Sequence, residues 1–243
     1  MTWVITAIIL GIYTFINIVA PMSGSATVTP FLAGLVGAKD AIAVASFFFF
    51  LSCIPRIWLF REYIDWKLVK RLWPISIIGA IIGSSALVGL NEKVVLIIIL
   101  GFLLWFIAQK TNDIISNSSK RSPSKLGTVA TGLMSGILQG TGLAGSDLRN
   151  GYLLSRGIDI PTLHGTTALI GGANFLFATI VRLASGDATV PMLLPILGLL
   201  PIIVFATYIG KKASLRLSKR AQAITSLTVM AIAAVLIIRS LMG

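Results

Sequence analysis

Hydroxyls, glycines and prolines gather in two short stretches between segments long enough to cross a bilayer. The first, Ala20 to Pro30, holds Ser23, Gly24, Ser25, Thr27 and Thr29 between Pro21 and Pro30. Proline lacks an N–H and cannot continue a helix undisturbed, so backbone groups around it lose their helical partners. Unpaired backbone is tolerated at membrane depth only when buried in protein or lining a polar cavity. The second stretch, Gln139 to Gly151, has the same character at an offset of about 120 residues and carries Thr141, Gly142, Asp147 and Arg149. Short helices that begin at such breaks aim free N–H groups and positive dipole ends at the protein centre, an arrangement that binds anions. The hydroxyls of Ser23, Ser25, Thr27 and Thr141 can replace water lost by a tetrahedral oxyanion. With Gly24 and Gly142 they form the expected substrate-binding set.

Charged side chains within apolar segments add the compensating chemistry. An Arg near the bilayer centre costs about 2.5–3.5 kcal/mol on insertion scales, so such residues face a cavity or a partner. Arg56 follows Pro55 inside an apolar run and joins the substrate-binding set. Arg149 joins it too, as an anion contact or, alternatively, as half of a structural pair with Asp147. Arg182, near Asp187, reads as a side chain snorkelling from a helix end. His164 is the only histidine, and its ordinary pKa of about 6.5 makes it, with Asp147, a proton-coupling candidate. The competing reading of His164 is a hydrogen-bonded structural residue.

Other chemistries lack their residues. There is no HExxH, no cysteine cluster and no Walker loop, so neither a metal nor a cofactor is expected. Ser23 or Ser25 with His164 has no nucleophile–base motif behind it, and no catalytic residue is assigned. The lone Cys53 excludes an intrachain disulfide.

The elements that must position these residues are membrane helices. The chain of 243 residues is 56% hydrophobic and only 12% charged, where a soluble domain carries about 25%. Mean hydropathy is +0.95. Long apolar segments argue helices, not the ten-residue alternating strands of a barrel. Residues 3–20 resemble a signal-peptide core, but no Lys or Arg precedes them and Pro21 follows, so a retained first helix is expected. The pattern predicts helices over 2–20, 40–60, 68–90, 93–110, 126–138, 160–183, 190–211 and 221–241. Short segments are predicted at 26–36 and 150–154, after each break. Residues 111–125 are polar and basic, a hydrophilic linker between a first five-helix repeat (1–110) and a second (126–243).

The halves echo each other. Gly37 and Ser46 fall on Gly157 and Thr166 at an offset of 120, and Pro74 and Gly83 fall on Pro201 and Gly210 at 127. With ten crossings, loop cations such as Arg61, Lys67, Lys110, Lys125 and Lys211 collect on one face, against Lys39, Lys93 and Arg239 on the other. The positive-inside rule makes the first face cytoplasmic and puts both termini outside. Equivalent loops carry opposite charge bias, as two inverted halves should. The formal charge of +12 therefore reads as a topology signal; no nucleic-acid partner is expected.

The sequence resembles the TauE/SafE family of sulfite and organosulfonate exporters along essentially its whole length. The resemblance rests on Ser23 to Leu32, Gly140 to Gly145, Tyr152 to Gly157 and Asp65-Trp66, in that arrangement over two five-segment halves. It implies export of a small sulfur oxyanion or C2-sulfonate, by secondary and proton-linked transport. The combined expectation is an all-α polytopic protein of about ten transmembrane helices in two inverted repeats, in a prokaryotic inner membrane. It would move a small inorganic or organic anion by alternating access, with the lipid bilayer as its other partner; a homo-oligomer stays open. From other classes, a non-transporting assembly or scaffold subunit and a passive anion channel are the competing readings.

Overall fold

The computed structural model describes residues 2–19, 36–88, 125–142 and 145–214 in unbroken runs, with scattered positions between 28 and 33, 90 and 108, and 228 and 239. Among the described residues every regular element is helical. They are α1 (Thr2–Val19), α2 (Ala38–Leu59), α3 (Trp66–Leu87), α4 (Lys125–Gly140), α5 (Gly145–Ser155), α6 (Ile160–Ser185), α7 (Val190–Leu197) and α8 (Leu200–Ser214), with a 3-10 turn at Arg61–Tyr63.

Local chemistry sets the helix starts. Asp65 Oδ1 accepts from the backbone N–H groups of Lys67 and Leu68 at 2.9 and 3.1 Å, capping α3. Asp159 does the same for α6, accepting from the Thr162 N–H at 3.1 Å, and Pro161 occupies a first-turn position that needs no donor. The Asp65 N–H in turn donates to Thr166 Oγ1 at 2.9 Å, tying the turn after α2 to α6.

Helices α2, α3 and α6 are long and apolar enough to cross a membrane, and α7 with α8 forms a fourth such element if the bent pair is one span. Large apolar side chains such as Ile78, Ile82, Ile180 and Phe205 face outward, whereas Arg56, Asp147, Arg149, His164 and Arg182 are buried. That inverts the arrangement of a soluble protein and suits a hydrocarbon solvent. Trp58 and Trp66 stand exposed beside Arg61 and Lys67, the mix of aromatic and basic side chains that sits at headgroup level. The protein is a multi-pass membrane protein.

Helix α2 packs on α6, and α3 runs against both α4 and α6; α1 packs on α8, and α8 also touches α2. The tightest approach, between α3 and α4, is made by small residues. A Cβ at Gly136 or Gly140 would collide with the carbonyl of Ser76 or Ala80, and one at Gly83 with that of Ile137. Without water to drive association, such close backbone contact is what holds helices together in lipid. Gly136→Ala must therefore force α3 and α4 apart, costing about 1–3 kcal/mol as overpacking. Thermal melts in detergent should register that loss, and should not register Gly101→Ala, where a Cβ meets nothing within 4 Å. Lys211 Nζ donates to the Leu59 carbonyl at 2.9 Å, joining the C-terminal ends of α2 and α8.

Two expectations change. The segment 190–211 is two helices bent by 49° at Gly198-Leu199, not one. Pro195 and Pro201 flank the bend, and each removes an N–H from the helical ladder there. The second break is also shorter than its composition predicts. Helix α4 runs on through Gly140 and α5 starts at Gly145, so Ser146, Asp147 and Arg149 are helical. Gly145 allows this: any Cβ there would strike the Ser135 carbonyl, so its bare backbone lets α5 begin flush against α4.

Candidate functional site

Five helices each present one stripe to a common pocket. Phe49, Ser52, Cys53 and Arg56 come from α2 at spacings of three and four, one face of a helix. Ser146, Arg149 and Asn150 come from α5 at the same spacing, and Thr167, Gly171 and Phe175 from α6 four residues apart. Gln139 near the end of α4 and Asn17 near the end of α1 complete the lining. The room inside is about 20 Å³, space for about one water-sized group, beneath a wider opening. Phe49 and Phe175 pack with ring centroids 5.0 Å apart and form its apolar wall. Among the described residues that line it there is no Asp or Glu.

Two guanidinium groups therefore share one small space with no carboxylate among the described residues of its walls. Arg149 is 1% exposed. Its Nη1 donates to Gln139 Oε1 at 3.0 Å and its Nη2 to the Thr167 carbonyl at 3.3 Å. Arg56, also buried, has Nη2 3.0 Å from His164 Nδ1. A guanidinium can only donate, so Nδ1 accepts and a neutral His164 carries its proton on Nε2. Phe60 stacks beside the imidazole, with ring centroids 5.1 Å apart. Behind the pocket Asn174 Nδ2 donates to Ser76 Oγ and, at 2.6 Å, to Gln139 Oε1. Gln139 Oε1 thus accepts from two side chains at once.

The structure brings together only part of the sequence-predicted set. Arg56 and Arg149 meet in the pocket. Asp147 is buried on α5 two positions before Arg149, outside the pocket lining but close enough to favour that guanidinium's charge. His164 lies outside the lining, reaching it through Arg56. Thr141 donates to the Leu138 carbonyl at 2.9 Å and so caps its own helix. Gly142, at φ 75°, turns the chain toward α5, and its carbonyl accepts from Thr29 Oγ1 at 3.0 Å. That bond joins the two breaks across 113 residues. Ser23, Gly24, Ser25 and Thr27 lie outside the described residues, as do residues 111–124 of the linker.

Arg182 does not snorkel. It is 1% exposed and donates through Nη2 to the Gly140 carbonyl at 3.0 Å. The final carbonyls of α4 are then all occupied. Ile137 accepts from the Thr141 N–H, Leu138 from Thr141 Oγ1, Gln139 from the Gly142 N–H and Gly140 from Arg182. A buried helix end needs such partners, and the Arg182 charge complements the negative end of the dipole.

Sequence reasoning missed Gln139, Ser52, Thr167 and Phe175. The α2 stripe was within reach, since Phe49, Ser52 and Cys53 follow from Arg56 by helical spacing. Gln139 was hidden by the glycines after it, which read as a loop. Among the described residues no group of three or more His, Cys, Asp or Glu could hold a metal ion.

What remains is a buried, doubly cationic pocket with amide and hydroxyl groups and an aromatic wall, in a helical membrane protein. Its positive charge and N–H donors are of the kind that an anion's oxygens accept from. No curated protein and no solved structure matches the chain. A family model, sulfite exporter TauE/SafE, matches residues 5–237, from the first helix through every element that lines the pocket. The chain belongs to the sulfite exporter TauE/SafE family of membrane transporters.

Proposed function

We propose that this protein is a secondary exporter of a small sulfur-containing anion, sulfite or a C2-sulfonate, which binds between Arg56 and Arg149 and crosses by alternating access. The observation that carries this reading is the convergence of two buried guanidiniums on a pocket whose described lining residues include no Asp or Glu. Their mutual repulsion in a low-dielectric site is relieved when an anion enters. Polar groups buried between helices favour a carrier over a scaffold subunit, whose polar groups would face a partner.

The proposed architecture is ten crossings in two inverted repeats, 1–110 and 126–243, joined by a cytoplasmic linker at 111–125, with both termini outside a prokaryotic inner membrane. Several contacts support it. The packing of α3 on α4 has its counterpart in α8 on α1, and that of α3 on α6 in α8 on α2. Gly83 abuts Ile137 of α4, and its counterpart at offset 127, Gly210, abuts Ile18 of α1. Gly37 and Gly157, matched at offset 120, both adopt positive φ, 88° and 80°, before a helix that enters the core. The Lys211–Leu59 bond keeps the basic ends of α2 and α8 on one side, as ten crossings require.

His164 is the proposed coupling residue, with Asp147 in reserve. A protonated imidazole cannot accept from Arg56, so proton uptake frees that guanidinium for the anion. Purified protein in liposomes preloaded with sulfite should accumulate labelled sulfite by counterflow, which a channel cannot do. His164→Gln should flatten the pH dependence of that signal without removing it. Liposomes that move sulfite and isethionate no faster than empty ones would refute the proposal.

A further inference from the structure

We infer that Gln139 and Gly171 form, with Arg149, the seat for one oxygen of the bound anion, an inference that rests on the Arg56–Arg149 pocket being the anion site. The orientation of the Gln139 amide is fixed by what surrounds it. Its Oε1 accepts from Arg149 Nη1 at 3.0 Å and from Asn174 Nδ2 at 2.6 Å. Because a guanidinium has no acceptor, the oxygen must be the atom turned toward Arg149. The –NH2 end is then forced to the other side, where Nε2 is buried and has no hydrogen-bond partner among the described residues. An unpartnered buried donor is unfavourable in a closed site unless something occupies it.

Gly171 lies against this donor. A Cβ built there would stand 3.3 Å from Gln139 Nε2, 3.2 Å from Arg149 Nη2 and 4.0 Å from Phe175 Cε2. Two N–H donors from different helices thus flank the bare Cα, and an aromatic edge shields them. Arg149 Nη2 spends one hydrogen on the Thr167 carbonyl and keeps a second. Both nitrogens lie against the bare Cα, and any side chain there would crowd them. Gln139 and Gly171 both line the pocket. The seat takes an anionic oxygen of the sulfite or sulfonate type, with N–H donors on one side and the Arg56 charge available elsewhere in the pocket.

The two variants that test this separate binding from structure. Gln139→Glu keeps an oxygen for Arg149 and Asn174 but replaces the free donor with a second, negatively charged oxygen. It should melt at or above the wild-type temperature and lose more than a hundredfold in affinity for sulfite and isethionate by calorimetry. Gly171→Ala should weaken both by about ten- to hundredfold, the loss of a hydrogen bond to a charged ligand. If Gly171→Ala fails to fold, Gln139→Glu decides alone. Should Gln139→Glu bind as the wild type does while Arg56→Gln loses affinity, the pocket is right and the seat is wrong. Wild-type protein that binds neither anion overturns the seat and the transport reading together.

Discussion

Arg149→Gln should reduce sulfite or sulfonate affinity by about thirtyfold or more while shifting thermal stability only modestly. The binding loss follows from position. Arg149 is 1% exposed, and its fork is held by Gln139 and the Thr167 carbonyl. Truncating one partner of a buried charge pair costs about 2–5 kcal/mol in bound complexes, roughly a thirtyfold to several-thousandfold loss. The small change in stability follows from the empty state, where Arg149 shares the pocket with Arg56. Two cations in one low-dielectric space repel, so removing one offsets part of the hydrogen bonding that is lost. Arg149→Lys keeps the charge but not the planar fork and should recover only part of the affinity. Calorimetry beside thermal melts reads both quantities from one preparation.

Arg182→Leu should behave in the opposite way. Here the guanidinium closes the α4 terminus by donating to the Gly140 carbonyl, and it lines no part of the pocket. Losing a charged hydrogen bond costs about 1.5–3 kcal/mol, and losing a cation at a helix C-terminus adds about 0.3–1 kcal/mol. Together these correspond to a melting midpoint lower by roughly 5–10 °C in a chain of this size. Leucine can pack in the space but leaves the Gly140 oxygen without a donor. The folded fraction should bind sulfite within a few-fold of wild type. Arg182→Leu melting like the wild type would return this residue to the snorkelling role that its position near Asp187 suggests.

The contrast between these arginines marks how far the sequence could be read. Both are apolar-segment cations, and nothing in their neighbours separates a ligand contact from a helix cap. The distinction is made by Gly140, 42 residues before Arg182, and by Gln139, 10 residues before Arg149. Membrane class and the spans of α2, α3 and α6 were legible because long apolar runs, with Asp caps at α3 and α6, are local signals. The second break was read too long because Gly, Asp and Asn disfavour helix in isolation, while burial against α4 and α6 stabilises α5 regardless. Of the hydroxyls expected to bind substrate, only that of Thr141 lies among the described residues. In the case of Thr141 the hydroxyl satisfies a carbonyl of its own helix. The donors that line the pocket belong instead to residues the composition made inconspicuous, Gln139 above all.

The central claim is that one small anion sits between Arg56 and Arg149. A structure determined with the protein saturated in sulfite or isethionate tests it most directly. The account predicts density for the three-oxygen group within hydrogen-bond distance of Arg149 and Arg56, with one oxygen over Gly171 facing Gln139 Nε2. Bound anion located outside the space lined by these residues, with the pocket itself empty, would contradict it.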